Sequence, residues 1–164
     1  MGTEIERKFL LCNDGWRKLA SRATRYQQGY LSEAKSVSVR VRIAGDQGFL
    51  NIKSITLEVS RAEYEYPIPL EDAAELLDRF CARPLIEKTR YLVPYGGHVW
   101  EVDVFEGENA GLVVAEIELS HADEPFSKPH WIGEEVSADP RYYNVSLVTH
   151  PYKDWKSPLQ QDLG

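Results

Sequence analysis

The chain has 164 residues, of which 26 are Asp or Glu and 19 are Lys or Arg, for a formal net charge of -7 with histidine neutral. That length suits one domain with a sizeable core, and the acidic balance argues against nucleic acid as a partner, since its binders present a basic face. No apolar run is long enough to span a bilayer and Met1 is followed at once by charged residues instead of a signal peptide, so a cytoplasmic location with no membrane partner is expected.

The segment Glu4-Ile5-Glu6-Arg7-Lys8-Phe9-Leu10, read as a strand, puts Glu4, Glu6 and Lys8 on one face and Ile5, Arg7 and Phe9 on the other. Two carboxylates beside an amine suit a hard divalent cation held next to an anionic ligand. The same residues also suit a helix, with Glu4 and Lys8 as a favourable i, i+4 pair. Residues 13–22 read as a short helix with Trp16, Leu19 and Ala20 on one face and Asn13 or Asp14 as cap. Residues 36–43 then alternate strictly, with Val37, Val39, Val41 and Ile43 opposite Arg40 and Arg42. Residues 44–48 read as a hairpin loop leading into a strand that sets Lys53 between Ile52 and Ser54-Ile55.

Glu63-Tyr64-Glu65-Tyr66 repeats the alternation with acids, and a helix is expected from about Glu71 to Cys81 on the apolar stripe of Ala73, Leu76, Leu77 and Phe80. Residues 87–91 place Lys88 and Arg90 on one side, and Glu101-Val102-Asp103-Val104 and Glu116-Ile117-Glu118-Leu119 complete the series. Residues 95–98 and 106–111 are turn-rich joints between strands, and residues 120–129 read as a loop or short helix. Gly133-Glu134-Glu135-Val136 precedes a helix start at Asp139-Pro140. Residues 1–156 are expected to form one domain and residues 157–164 a flexible C-terminal tail. Cys12 and Cys81 are too few for a disulfide framework, and His98, His121, His130 and His150 are scattered as surface or loop residues.

The polar faces of these strands carry paired like charges: Arg40 with Arg42, Lys88 with Arg90, Glu63 with Glu65, Glu116 with Glu118. Residues i and i+2 on one strand project from the same face about 7 Å apart, so each pair repels itself unless opposite charge approaches. Closing the sheet would bring that charge across a lumen. The expected fold is therefore α+β, a closed antiparallel barrel lined with both signs and covered outside by helices. A cation-lined cavity welcomes a polyanion, and neighbouring carboxylates welcome the metal such polyanions carry.

The ordered set Glu4-x-Glu6-x-Lys8, Tyr30-Leu31, Arg40-x-Arg42, Leu50-x-Ile52-Lys53, Glu63-x-Glu65, Glu87-Lys88-Thr89-Arg90-Tyr91, Asp103, Glu116-x-Glu118 and Gly133-Glu134-Glu135-Val136 resembles the CYTH superfamily of triphosphate tunnel metalloenzymes. Within it the chain looks most like the compact bacterial inorganic triphosphatases. The resemblance implies an eight-stranded tunnel that binds a small-molecule triphosphate with magnesium or manganese and hydrolyses tripolyphosphate to pyrophosphate and phosphate. It implies phosphate contacts from Lys8, Arg40, Arg42, Lys53, Lys88 and Arg90, and metal-side roles for Glu4, Glu6, Asp103, Glu116 and Glu118. Glu63 and Glu65 would bind a second metal or orient the basic residues. Lys8 and Tyr30 would handle protons, or Tyr30 would be a packing residue. A class IV adenylate cyclase, a thiamine triphosphatase and a non-enzymatic polyphosphate- or nucleotide-binding module are the alternatives, and the thiamine reading is weakened by Ser38 where an aromatic platform is expected. Either a monomer or a homodimer fits.

Overall fold

The computed structural model describes residues 2–33, 37–54 and 60–155, with residues 2–4, 33, 60 and 61 described in their backbone only. The charged alternations lie in β1 (Gly2–Leu11), β3 (Val37–Ala44), β4 (Gln47–Ser54), β5 (Ser60–Ile68), β6 (Ile86–Tyr95), β7 (His98–Phe105) and β8 (Val113–Glu118). Two further strands, β2 (Arg22–Glu33) and β9 (Ile132–Glu135), complete an antiparallel sheet in the order β5-β4-β3-β2-β6-β7-β8-β1-β9. The helices α1 (Leu70–Arg79) and α2 (Asn144–Thr149) are short, so the fold is mostly sheet. No helix among the described residues is long and apolar enough to cross a membrane. The tail expected over residues 157–164 lies outside the described residues.

The expected eight-stranded closed barrel needs a correction. The sheet has nine strands, and β1 meets β5 only over residues 2–5. Further along, Phe9 pairs with Ala115 of β8 on one side and with Glu135 of β9 on the other, so β9 takes the edge that β5 leaves. Residues 132–135 form this strand because Ile132 and Glu135 find backbone partners on β1, and the helix start expected at Asp139-Pro140 follows as a turn of 3-10 helix over Pro140–Tyr142, with the Asp139 side chain accepting from the Arg141 N–H.

Residues 13–22 also differ from expectation, because only Arg17–Leu19 makes a turn of 3-10 helix before β2 begins at Arg22. Trp16 is nonetheless fully packed, its ring 5.1 Å from that of Tyr91. Leu19, by contrast, is exposed. The hairpin between β3 and β4 is a two-residue turn, with Ala44 paired to Gln47. Gly45 sits at its first central position with φ 62°, a conformation glycine adopts without steric cost.

The apolar residues gather in three clusters, two on the outer face of the sheet and one, around Tyr30, on its lumen side. Phe9, Trp100 and Trp131 meet edge to face, with ring centroids 5.6 Å and 5.8 Å apart, beneath the irregular chain after β8. Ala73 and Leu77 of α1 pack on Val41, and a buried leucine contributes about 1.5–3 kcal/mol. Phe80 was expected in the same stripe, but α1 ends at Arg79 and Phe80 is exposed. Tyr30, Ile86 and Phe105 pack against Tyr142, Leu147 and Val148, which seat the C-terminal segment at one end of the sheet.

Gly29 marks how tightly β2 is covered. A Cβ there would lie 2.8 Å from both Cys81 Cβ and Leu85 Cδ2. Gly29→Ala should therefore cost about 1–3 kcal/mol of stability by overpacking, read as a lower midpoint in thermal or urea unfolding. An unchanged midpoint would show that this contact is not close-packed.

Candidate active site

The concave face of the sheet encloses a cavity of about 220 Å³. Alternate residues of each strand reach it: Glu6 and Lys8 from β1, Tyr26 and Tyr30 from β2, Ser38, Arg40 and Arg42 from β3. Asn51 and Lys53 of β4, Glu63 and Glu65 of β5, Lys88 and Arg90 of β6, Glu101 of β7, and Glu116 and Glu118 of β8 complete the wall. Tyr143, Asn144 and Val145 of the C-terminal segment line it as well. The period-2 pleat is the reason, since every second side chain on a strand must share a face. The sequence-predicted residues are brought together here apart from two. The Glu4 side chain lies outside the described residues, and Asp103 sits fully buried behind the wall.

Like charges are offset along the wall, by neighbouring strands, instead of across the lumen as the sequence argument expected. Lys53 lies 3.5 Å from Glu63, its register partner on β5. Glu65 accepts hydrogen bonds from both Arg42 and Asn51 at 3.1 Å. Lys8 Nζ is 3.5 Å from Glu116 on the adjoining β8. Asp103 accepts from Arg90 through both oxygens at 2.7 and 2.9 Å and from Lys88 at 2.8 Å. Arg90 also donates to Glu101 at 2.8 Å.

These contacts set the electrostatics. Burial draws the Lys88 ammonium down to about 8, against the support of Asp103. Burial would raise the Asp103 carboxyl, but Arg90 and Lys88 hold it below the usual range. Burial pushes Glu101 up to about 7, opposed by Arg90 and assisted by Glu116, Asp103 and Glu6. Arg42 is lowered by burial and by the facing charges of Arg40 and Arg90. The Tyr26 ring centroid sits 5.0 Å from both the Arg42 and the Arg90 guanidinium carbons, which lets one ring serve two cations.

Arg40 stands apart. It is 8% exposed, and among the described residues no carboxylate pairs with it. The Nε atoms of Arg40 and Arg42 and the amide of Gln28, all buried, likewise have no hydrogen-bond partner there. A buried donor without an acceptor costs about 1–3 kcal/mol and more when charged, so this cluster is built around something it expects to receive.

Acids gather on the opposite side. Glu6 faces Glu118 in register and Glu101 faces Glu116, arrangements that repel unless a cation intervenes. Among the described residues no three Asp, Glu, His or Cys side chains are drawn tightly enough to coordinate an ion alone. Magnesium asks for less, one or two carboxylates together with waters and phosphate oxygens.

The C-terminal segment contributes what sequence reasoning missed. Lys8 Nζ donates to the Tyr142 carbonyl at 3.0 Å, and Lys88 Nζ donates to Asn144 Oδ1 at 3.2 Å. Tyr30 lines the same cavity amid Ile86 and Phe105 but makes no hydrogen bond to Lys8 among the described residues. Tyr26, Ser38 and Asn51 were also missed, although each shares strand parity with a predicted residue and parity would have found it, while Glu101, which shares a face with Asp103 in the sequence, does reach the cavity.

Comparison with known proteins agrees with this geometry. The profile of the CYTH domain matches residues 2–152. An inorganic triphosphatase of Acetivibrio thermocellus is 50% identical over 156 residues, covering 95% of this chain and 99% of that protein. An inorganic triphosphatase of Nitrosomonas europaea is 38% identical over 151 residues, covering 89% of this chain and 97% of that protein. A crystal structure of an inorganic triphosphatase superposes with a TM-score of 0.65 at 36% identity, covering 90% of this chain and 95% of that one. The chain belongs to the CYTH domain family.

Proposed function

We propose that this protein is a metal-dependent inorganic triphosphatase that cleaves tripolyphosphate to pyrophosphate and phosphate within the lumen. The observation that carries this reading is Arg40, a buried guanidinium without an acidic partner among the described residues, set in a cavity shared with Lys8, Arg42, Lys53, Lys88 and Arg90. Arg40 has charge to offer a polyanion that no wall carboxylate among the described residues already takes. The relatives named above, inorganic triphosphatases over nearly their whole length, support the same activity. The pairing of β1 with β5 supports reading eight of the strands as the walls of a tunnel.

The substrate's own charge is the obstacle, because water must approach an anionic phosphorus. Arg40 and Arg42 present planar donors suited to bidentate phosphate contacts, while Lys53 and Lys88 act as point charges. Their work is to neutralise the transferred phosphoryl group and the departing pyrophosphate, and one such donor is worth about 10²–10³ in rate. Asp103 is better suited to fixing Lys88 and Arg90 than to a metal, since both its oxygens already accept from them. Glu65 plays the same part for Arg42 and Asn51, and Glu63 for Lys53. Among the described residues the polar contacts of Lys8 Nζ are acceptors, the Tyr142 carbonyl and Glu116, which suits an amine that offers charge to the phosphate. Tyr30 reaches the same cavity and would act on substrate directly.

Glu6, Glu116 and Glu118, with Glu4 beside them on β1, have the hard oxygen chemistry that magnesium or manganese requires. A bound ion would supply Lewis-acid polarisation of the phosphoryl oxygens. Glu101, absent from the sequence-derived set, joins this wall by position and by its raised pKa.

Phosphate release should be measured with tripolyphosphate, ATP and thiamine triphosphate in parallel, with and without magnesium or manganese. Fast, metal-dependent release from tripolyphosphate above the other two is expected, and cyclic AMP formed from ATP would overturn the reading.

The acid wall predicts a pH signature in metal-free protein. Glu101 moves from an ordinary 4.5 to about 7 on folding, so the folded state binds more protons than the unfolded state between those values. Stability should then fall as pH rises from about 4.5 to about 7. Glu101→Gln should flatten that part of the urea-midpoint profile measured in chelator. A profile identical to wild type would remove Glu101 from the account.

A further inference from the structure

Asn144 is the first residue of α2, one place past the N-cap Tyr143, and no side-chain capping bond forms at this helix. Its side chain turns instead to the cavity. Lysine is a donor only, so the contact at 3.2 Å fixes the Asn144 amide with its oxygen toward Lys88 Nζ. The amide is planar, and locking one end locks the other. Its Nδ2 group, two N–H donors with no partner among the described residues, is left at the wall of the cavity that Lys8, Arg40 and Lys88 also line.

Lys8 and Lys88 are prepared in the same way. Lys88 spends one N–H on Asp103 and one on Asn144, and Lys8 spends one on the Tyr142 carbonyl while Glu116 stands at 3.5 Å. An ammonium has three N–H donors, so each lysine keeps one for a ligand. The C-terminal segment therefore does more than seal the sheet. It brings the Asn144 amide to a lumen that Lys8 and Lys88 also line, three donors suited to the three free oxygens of a terminal phosphoryl group.

We propose that Asn144 is a specificity-determining residue whose Nδ2 group donates to the terminal phosphoryl of the substrate, so that the site selects polyphosphates with at least one unesterified end. The proposal rests on the triphosphatase reading for its substrate class. An ester group at that end would replace an acceptor oxygen and meet the wall at Tyr143–Val145. ATP, with a free terminal phosphoryl, retains the contact, whereas diadenosine triphosphate, esterified at both ends, does not.

Calorimetric binding of tripolyphosphate to wild type, Asn144→Ala and Asn144→Asp tests this, with unfolding midpoints confirming that each variant is folded. Asn144→Ala should bind about tenfold more weakly, the effect of one hydrogen bond to a charged group. Asn144→Asp should be weaker still, because it keeps an acceptor for Lys88 but replaces the donor with negative charge. If Asn144 merely steadied Lys88, the aspartate would restore binding to the wild-type level, and that result would overturn the proposal. Wild type that binds diadenosine triphosphate as tightly as tripolyphosphate would overturn it too, with no variant needed. Wild type that binds tripolyphosphate with the predicted variant order but releases no phosphate would leave the proposal standing and retire the hydrolytic reading. Normal hydrolysis with aspartate equal to wild type would retire the proposal alone.

Discussion

The constraint on which this structure turns is that several cations share one small, partly desolvated space. Arg40, Arg42, Lys53, Lys88 and Arg90 all line a cavity of about 220 Å³, where a like-charge contact is felt far more strongly than in water. The wall answers with acids placed one strand away. Asp103 is the clearest case, wholly buried and accepting from both Lys88 and Arg90. Removing one partner from such a buried group leaves a charge without compensation, which is far costlier than never having the pair. Pairing along the sheet also explains why the lumen stays open. Had the opposite charges met across it, as a first reading of the alternation suggests, side chains would have bridged the space a ligand needs.

Much of this was legible because strand parity and charge are both written in the sequence. Arg40 and Arg42, Lys88 and Arg90, and Glu116 and Glu118 had to share a face once their strands were recognised. β2 was harder, since its lumen side carries Tyr26, Gln28 and Tyr30, and neither face of Arg22–Glu33 shows the apolar repeat that marks a half-buried strand. Parity also gives a face without a depth. Glu101 and Asp103 point the same way, yet one reaches the cavity and the other lies beneath Arg90, a distinction made by packing around β7. The ninth strand and the contacts of Tyr142 and Asn144 arise from docking of segments distant in the chain, which no local pattern encodes.

Apolar packing and lumen chemistry are coupled through the C-terminal segment. Tyr142, Leu147 and Val148 bury themselves against Tyr30, Ile86 and Phe105, and that apolar contact holds the Tyr142 carbonyl and the Asn144 amide over the lysines. Trp155 stacks edge to face on Tyr142 at 5.1 Å and donates to the His150 carbonyl, securing the segment from outside. Hydrophobic burial, which is not directional, thus supplies the placement that directional hydrogen bonds then refine.

Arg40 is held without a carboxylate partner among the described residues, which leaves a polyanion to complete the lumen. Thermal unfolding of wild type and Arg40→Gln, each with and without tripolyphosphate, tests it most directly. Without ligand, Arg40→Gln should be at least as stable as wild type, because a buried charge lacking a partner has been removed. With tripolyphosphate, wild type should gain stability by mass action and Arg40→Gln should gain much less. A variant that is less stable without ligand and rises as far as wild type with it would contradict the account.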